Sequence, residues 1–485
     1  MEKSVYCLRF TVSSNKNHTI IILFIAYCLL AVSCSVTKQI SKQASSTLLK
    51  DSAINTGHIG ISIYEPATQK YWYNHNATQY FIPASNTKLF TLYAGMKYLG
   101  DSLVGGYYRS FSDTAISFIA TGDPTFLHPD FKNQPLLDFL KREKKTIYVS
   151  GSYNDEALGY GWAWDDYNDD YMAERNIFPS YGNLISVHAD GYKEINKNFV
   201  APNWKIKPVF FEPNIPNIFL LDAKVRYSKL DSSDLVKLTK KFDVIRDRMD
   251  NRLSLIPSSF PFTKNEIPFY TNKKITTIEI LNKDFNLDMI DWGTNAFNPT
   301  ITQNTGFHTI KSQPSDSLFK IMMHRSDNFF AEQTLIMASK RGWNNLADKN
   351  ETLVLIDTVL KLHLPKIAQR PKWVDGSGLS RYNLFTPQSF VQILNQLQVE
   401  FGLERLKVIL PTGGEGTLSS YYKKYAGHIF AKTGTLSNNC ALSGYLITKK
   451  GKLLIFSVLN NNYITGATPI RKAVEKFLGE VMEKY

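Results

Sequence analysis

Hydrophobic and polar positions change their period several times along the 485 residues. An apolar run from Ile20 to Val32 follows the basic residues Lys3, Arg9 and Lys16. It is shorter than a membrane span requires and ends in small residues, so residues 1–33 read as a secretory signal. A Ser-, Lys-, Gln- and Thr-rich stretch then predicts a tether over 34–54. His58-Gly-Ile-Ser-Ile-Tyr64 alternates like a strand, Pro66–Gln69 turns, and Tyr71-Trp-Tyr73 returns as its hairpin partner. Helical spacing takes over after Pro83-Ala84, where Leu89, Phe90, Leu92, Tyr93 and Met96 predict a buried helix that starts near Ser85.

From about Gly100 to about Phe307 the chain breaks into short β-like runs such as Ala115–Ala120, separated by aromatic and acidic loops such as Gly159–Asp166. One charged helix candidate, Asp234–Arg252, lies in this block, which predicts an inserted module (100–307) of one or two small domains. Helical patterns return over Asp316–His324 and Asn328–Ala338, and a further helix starts at Thr386-Pro387, a capping residue followed by a first-turn proline. Strand patterns close the chain at Gly427–Thr433, Ala441–Ile447 and Leu453–Asn460, with a turn at Lys449-Lys450-Gly451. A last amphipathic helix, Pro469–Tyr485, puts Val474, Phe477, Leu478 and Val481 on one face. Strands at both ends with helices between them predict an α+β fold. Its antiparallel sheet would be assembled from a discontinuous unit, 55–99 and 308–485, from which the insertion projects.

Composition narrows the picture. A chain that is 43% hydrophobic and 13% aromatic can bury a large core. The net charge of +13 falls to +11 once Lys3, Arg9, Lys16 and Glu2 leave with the signal. In an exported protein this basic balance favours anionic envelope polymers or lipid headgroups over nucleic acid as partners. Of four cysteines, Cys7 and Cys28 fall in the signal. Cys34, after Ala31-Val32-Ser33, resembles a bacterial lipoprotein processing site, with Ala31 where leucine usually stands. It would carry lipid and leave Cys440 without a disulfide partner. The nine histidines show no ligand spacing, so neither a metal nor another cofactor is expected.

The chemistry centres on Ser85-Asn-Thr-Lys88. At i and i+3 a serine and a lysine share a helix face, and a lysine held neutral by burial can take the serine's proton. Ser-x-x-Lys also occurs at Ser13, Ser35, Ser317 and Ser420, but only Ser85 follows a helix start and precedes an apolar run. Two more motifs follow in order: Ser326-Asp327-Asn328 at a helix–helix junction, and Lys432-Thr433-Gly434-Thr435 at the end of a strand. There Gly434 would let a substrate approach the backbone closely. The three together are the signature of penicillin-binding proteins and class A β-lactamases.

The chain resembles the class C low-molecular-mass penicillin-binding proteins, the D-alanyl-D-alanine carboxypeptidases and endopeptidases of the penicillin-binding protein 4 type. The resemblance runs from about His58 to the C-terminus and includes Gly122-Asp-Pro124, Trp162–Asp166, Asp375-Gly-Ser-Gly-Leu-Ser-Arg381 and Leu410–Thr417. The long insertion between the first two motifs is typical of this family and unlike class A β-lactamases. The resemblance implies that Ser85 is acylated by peptidoglycan stem peptides and by β-lactams, with Lys88 as general base. Ser326 would pass a proton to the leaving amine, and Asn328 would hold the substrate amide. Lys432, Thr433 and Thr435 would engage the terminal carboxylate, and the N–H groups of Ser85 and Thr435 would form the oxyanion hole. Arg381 and Asp155 would hold the side chain of the stem-peptide diamino acid. Ser437 replaces a family glutamine. A lipid on Cys34 would place the enzyme on the periplasmic side of the cell envelope. Two other readings share these residues: a β-lactamase or esterase of the same fold, and a noncatalytic peptidoglycan-binding lipoprotein.

Overall fold

The computed structural model of the chain describes residues 37–151, 153–189, 209–212, 220–222, 243–256, 264–293, 306–342 and 351–485. Its central sheet joins the two ends of the chain. Strands β1 (His58–Glu65), β2 (Lys70–His75), β3 (Ile429–Leu436), β4 (Asn439–Ile447) and β5 (Leu453–Asn461) pair antiparallel in the order β3-β4-β5-β1-β2. Both faces are covered, which is why β4 and β5 read as nearly continuous apolar runs. Alternation still sorts them: Ile455 and Leu459 join one core, while Leu454, Phe456 and Val458 join the other.

Helix α1 (Lys88–Tyr98) lies at the centre of the first core, with every residue from Lys88 to Met96 buried. Around it pack α2 (Ser315–Arg325), α3 (Asn328–Gly342) and α4 (Pro387–Phe401). Phe90 of α1 meets Trp373, Phe385 and Phe390 edge-on at 4.8–5.7 Å. Thr386 caps α4 by accepting from the Ser389 N–H, and Pro387 follows it at the first helical position, as the sequence predicts. Helix α5 (Ala467–Lys484) covers the opposite face and buries Val474, Phe477, Leu478 and Val481.

The expected tether is mostly folded. Residues 37–48 are helical and bury Ile40, Ala44 and Leu48 completely. Gln43 donates to Glu480 at 2.7 Å and the Tyr485 hydroxyl to Gln39 at 3.3 Å, so this segment is packed against α5. The apolar i, i+4, i+8 positions were present in a polar stretch, and burial against α5 decides their conformation. Residues 1–36, with the signal segment and Cys34, lie outside the described residues.

The insertion carries a second five-stranded sheet, ordered Met289–Asp291, Thr146–Ser150, Ala115–Ala120, Ser102–Ser110 and His308–Pro314. The boundary expected at 308 therefore falls ahead of a strand that joins this second sheet, because His308–Pro314 pairs with Ser102–Ser110. Among the described residues it also carries two three-stranded sheets. The charged helix expected over Asp234–Arg252 is a correction: Asp243–Arg246 and Arg252–Ile256 are antiparallel strands, and 234–242 lie outside the described residues. Cross-strand pairing of Val244, Ile245, Leu253 and Leu255 outweighs the local helical pattern.

Candidate active site

The chain reaches Ser85 along a pinned path. Phe81 bridges to Phe385, and the Asn461 carboxamide binds both the N–H and the C=O of Ile82 at 2.8 and 3.0 Å. Ala84 takes a left-handed φ of 48°, which opens a single 3₁₀ turn, Ala84–Thr87, ahead of α1. Asn86, fully buried, donates to Ser443 at 2.7 Å and so ties this turn to β4. Two glycines let other segments close on it. A Cβ on Gly378 would lie 1.9 Å from the Ala84 carbonyl oxygen. One on Gly434 would lie 2.6 Å from the Pro83 oxygen and 3.1 Å from the Ser85 nitrogen. The backbone that approaches Gly434 is thus the nucleophile turn itself, where the sequence suggested a substrate.

Lys88 is fully buried, and its Nζ lies 3.0 Å from Ser85 Oγ, 2.7 Å from Asn328 Oδ1 and 2.7 Å from the Ser377 carbonyl oxygen. Burial brings its pKa down from 10.5 to about 8, against the opposing pull of Asp375, Asp327 and Glu332. That is a net disfavouring of the cation on the order of 3 kcal/mol. A neutral amine has two hydrogens and one lone pair. With two permanent acceptors in place, the hydrogens go to Asn328 and Ser377, and the lone pair is left facing the Ser85 hydroxyl.

Lys432, on β3, is also fully buried, and its ammonium is strongly disfavoured, first by burial and then by Lys88. It donates to Ser326 Oγ and to the Thr433 carbonyl, both at 2.7 Å. Ser326 stands at φ 62° between α2 and α3, a left-handed corner that turns its hydroxyl toward β3. Asp327 accepts the Phe330 N–H and starts α3, and Asn328 then reaches Lys88 with one atom and the Tyr171 carbonyl with the other, at 3.0 Å. The five residues read from the three motifs as catalytic fall in two bonded sets, Ser85–Lys88–Asn328 and Ser326–Lys432, which the Ser326-Asp327-Asn328 corner holds side by side.

The Asp375–Arg381 loop forms the rear wall. Asp375, fully buried, accepts from the Gly378 and Ser380 N–H groups, the Asn383 amide and the Trp162 indole at 2.7–2.9 Å. Glu332, 1% exposed on α3, accepts the Ser377 N–H at 2.7 Å and lies 3.7 Å from Arg175. Burial and the nearby Asp375 hold its carboxyl above the usual range. Glu332 thus holds the N–H of Ser377, the residue whose carbonyl faces Lys88.

The expected binding residues fall in different places. Thr433 and Thr435 follow Lys432 on β3, and Thr435 accepts from Arg471 of α5 at 2.5 Å. Arg381 is exposed and reaches the Ser437 carbonyl at 3.3 Å across the β3–β4 turn. Asp155 accepts the Thr352 N–H at 3.2 Å, at the start of the Glu351–Thr358 helix, and no contact joins it to Arg381. Sequence reasoning missed Glu332, Arg471 and the carbonyls of Ser377 and Tyr171; of these only Ser377 lies in one of the family-like stretches quoted above, and there its backbone, not its side chain, acts. Among the described residues no cluster of His, Cys, Asp or Glu could hold a metal, and no helix is long and apolar enough to cross a membrane.

A serine faced by a buried lysine, on an antiparallel sheet enclosed by helices, defines an α+β serine hydrolase of the penicillin-binding type. Comparison with known proteins narrows the class. The chain belongs to the D-Ala-D-Ala carboxypeptidase 3 (S13) family, whose pattern matches residues 41–205 and 270–481. It is 23% identical over 473 residues to penicillin-sensitive carboxypeptidase A of Dictyostelium discoideum, covering 86% of this chain and 85% of that one. It is 26% identical over 160 residues to D-alanyl-D-alanine carboxypeptidase DacB of Haemophilus influenzae, about a third of each chain (32% and 33%). The crystal structure of penicillin binding protein 4 from Haemophilus influenzae superposes with a TM-score of 0.68 at 19% identity, covering 92% of this chain and 99% of that one. The protein is a serine-type D-alanyl-D-alanine peptidase acting on peptidoglycan stem peptides.

Proposed function

We propose that Ser85 carries the acyl-enzyme. Its hydroxyl attacks the carbonyl of the penultimate D-alanine while Lys88 Nζ takes the proton, and the Ser85 and Thr435 N–H groups receive the oxyanion. When the tetrahedral adduct collapses, the C–N bond breaks and the departing amine takes a proton from Ser326, and the proton that Lys88 took from Ser85 replaces it, leaving Lys88 neutral again. Water then cleaves the ester and restores Ser85. The observation that carries this reading is the Lys88 amine, buried and held by two acceptors with its third side on Ser85. Both lysines are pushed toward neutrality, so a permanent cation for the substrate's terminal carboxylate comes from Arg471 acting beside Thr435.

Arg381 and Asp155 are the proposed contacts for the stem-peptide diamino acid; of the two, Arg381 is supported by its place beside the Ser437 turn. The discontinuous unit 55–99 and 308–485 would carry catalysis, and 100–307 would be its inserted module. β-Lactams would acylate Ser85 as well, since they imitate the acyl-D-alanyl-D-alanine end. The β-lactamase alternative needs a carboxylate that aims a water at the ester. Glu332 is buried on the Ser377 N–H, and Glu351 is paired with Lys340, so neither is available for that task. Cys34 would anchor the enzyme by lipid, and Cys34→Ser should release it from the membrane fraction. The catalytic reading is tested by incubating the enzyme with a pentapeptide stem and with cross-linked fragments and identifying the products by mass. Wild type should release D-alanine or split the cross-link and Ser85→Ala should do neither; equal turnover by both would refute it.

A further inference from the structure

Residues 159–172 form a loop whose two ends are locked to the catalytic machinery. Near its start, the buried Trp162 indole donates to Asp375 at 2.9 Å; near its end, the Tyr171 carbonyl accepts from Asn328 at 3.0 Å. Between and beside these anchors large rings turn outward. Tyr160 is 73% exposed and Trp164 70% exposed, and Tyr382, which directly follows Arg381, is 47% exposed. Such side chains clustered at the mouth of a cleft mark an interaction site more often than scattered surface aromatics do.

The rings are held in place. Tyr160 stacks on Tyr382 with centroids 5.0 Å apart and planes 17° apart. The loop backbone lies flat against that pair, since a Cβ on Gly161 would come within 2.3 Å of the Tyr382 ring. Arg248 lies over both Trp164 and Tyr167, at 4.5 and 4.6 Å from their centroids. Flat rings already fixed in position lose little entropy when they bind.

The chemistry around the rings selects the occupant. Asp165, Asp166, Asp169 and Asp170 alternate with the aromatics, so the rim would repel an anionic polymer and is too polar for a lipid surface. A neutral pyranose strand, with apolar C–H faces for the rings and hydroxyl and acetamido groups for the carboxylates and Arg248, fits both. About four residues separate the scissile bond from the sugar, so an extended stem peptide carries the glycan roughly 14 Å from Ser85, and the loop that bears the rings is anchored on Asn328, itself bonded to Lys88.

We propose that Tyr160, Trp164 and Tyr382, with Arg248, form a docking platform for the amino-sugar strand that carries the stem peptide. This rests on the peptidoglycan reading above, and its test can fail separately from it. The probe is insoluble chitin, an uncharged N-acetylglucosamine strand, sedimented with wild type or with the Tyr160→Ala/Trp164→Ala double variant. Wild type should co-sediment, and the double variant should bind about tenfold more weakly or worse, the scale of losing aromatic contacts. Penicillin acylation of the variant should match wild type, which shows that the fold and the Ser85 site are intact. As a second readout, wild type should cleave a stem peptide on its disaccharide faster than the free peptide, and the variant should lose that advantage alone. The proposal is overturned if wild type ignores chitin, if the double variant binds it equally, or if it loses both substrates in parallel. Retention on anionic vesicles in place of glycan would also overturn it. Strand binding without D-alanine release or penicillin acylation in wild type would instead sink the catalytic reading and leave the platform standing.

Discussion

At the floor of the cleft, Lys88, Lys432 and Asp375 are fully buried and Glu332 nearly so, each bonded to named partners; at the rim, Tyr160, Trp164 and Arg381 face water. The floor pushes its two lysines toward the neutral amine, and that needs burial with hydrogen-bond partners in place. The rim needs only to present surface, so its groups stay solvated and individually weak. A change at the floor should therefore strike every substrate alike, whereas a change at the rim should depend on which substrate is offered.

The largest expected effect is at Lys88. Lys88→Ala should slow acylation by both stem peptide and penicillin by about 10²–10⁴-fold, the value of a general base. In wild type the reacting form is the neutral amine, so the acylation rate should rise with pH and level off above about 8, where Lys88 has lost its proton. A rate flat from pH 6 to 10, or a variant keeping a tenth of the activity, would assign the base elsewhere.

Glu332 sharpens the comparison, because it belongs to the floor without touching the substrate. Glu332→Ala leaves the buried Ser377 N–H without its acceptor, which should cost roughly tenfold to a hundredfold in acylation. Glu332→Gln keeps an acceptor and should recover most of that loss. It also removes a charge that favours the Lys88 cation, so the inflection of its pH profile should move below that of wild type. An unmoved inflection with equal loss in both variants would make Glu332 a packing residue. The smallest effect is expected at the rim: Arg381→Ala should raise KM for stem peptides about fivefold, in line with one exposed charged contact, and leave penicillin acylation within about twofold. Equal loss on both would place Arg381 with the floor.

The same division governs what could be read in the sequence. The three motifs, the β1–β2 hairpin and the α5 face were legible because each is local: a fixed spacing, a period of two, or a period of 3.6. Ile40, Ala44 and Leu48 kept a helical period too, but too few apolar positions marked it within a polar stretch. The strands at Asp243–Arg246 and Arg252–Ile256 hold their form through cross-strand neighbours, which a charged helical pattern concealed. The missed groups of the site act across long separations. Glu332 meets Ser377, Lys88 meets the Ser377 carbonyl, and Arg471 meets Thr435, and no spacing rule connects such pairs. A backbone carbonyl that directs a lysine lone pair leaves no mark in the residue type that carries it.

The central claim is that Ser85 forms a covalent intermediate which nothing nearby is poised to hydrolyse quickly. Intact-mass measurement after a short pulse of penicillin tests it most directly. A single penicilloyl adduct should form, map to the peptide containing Ser85, be absent from Ser85→Ala, and persist on the order of minutes or longer, since lacking a deacylating base costs roughly 10²–10⁴-fold in rate. An adduct that also forms on Ser85→Ala would contradict the account, as would one that vanishes within seconds while the drug is steadily consumed.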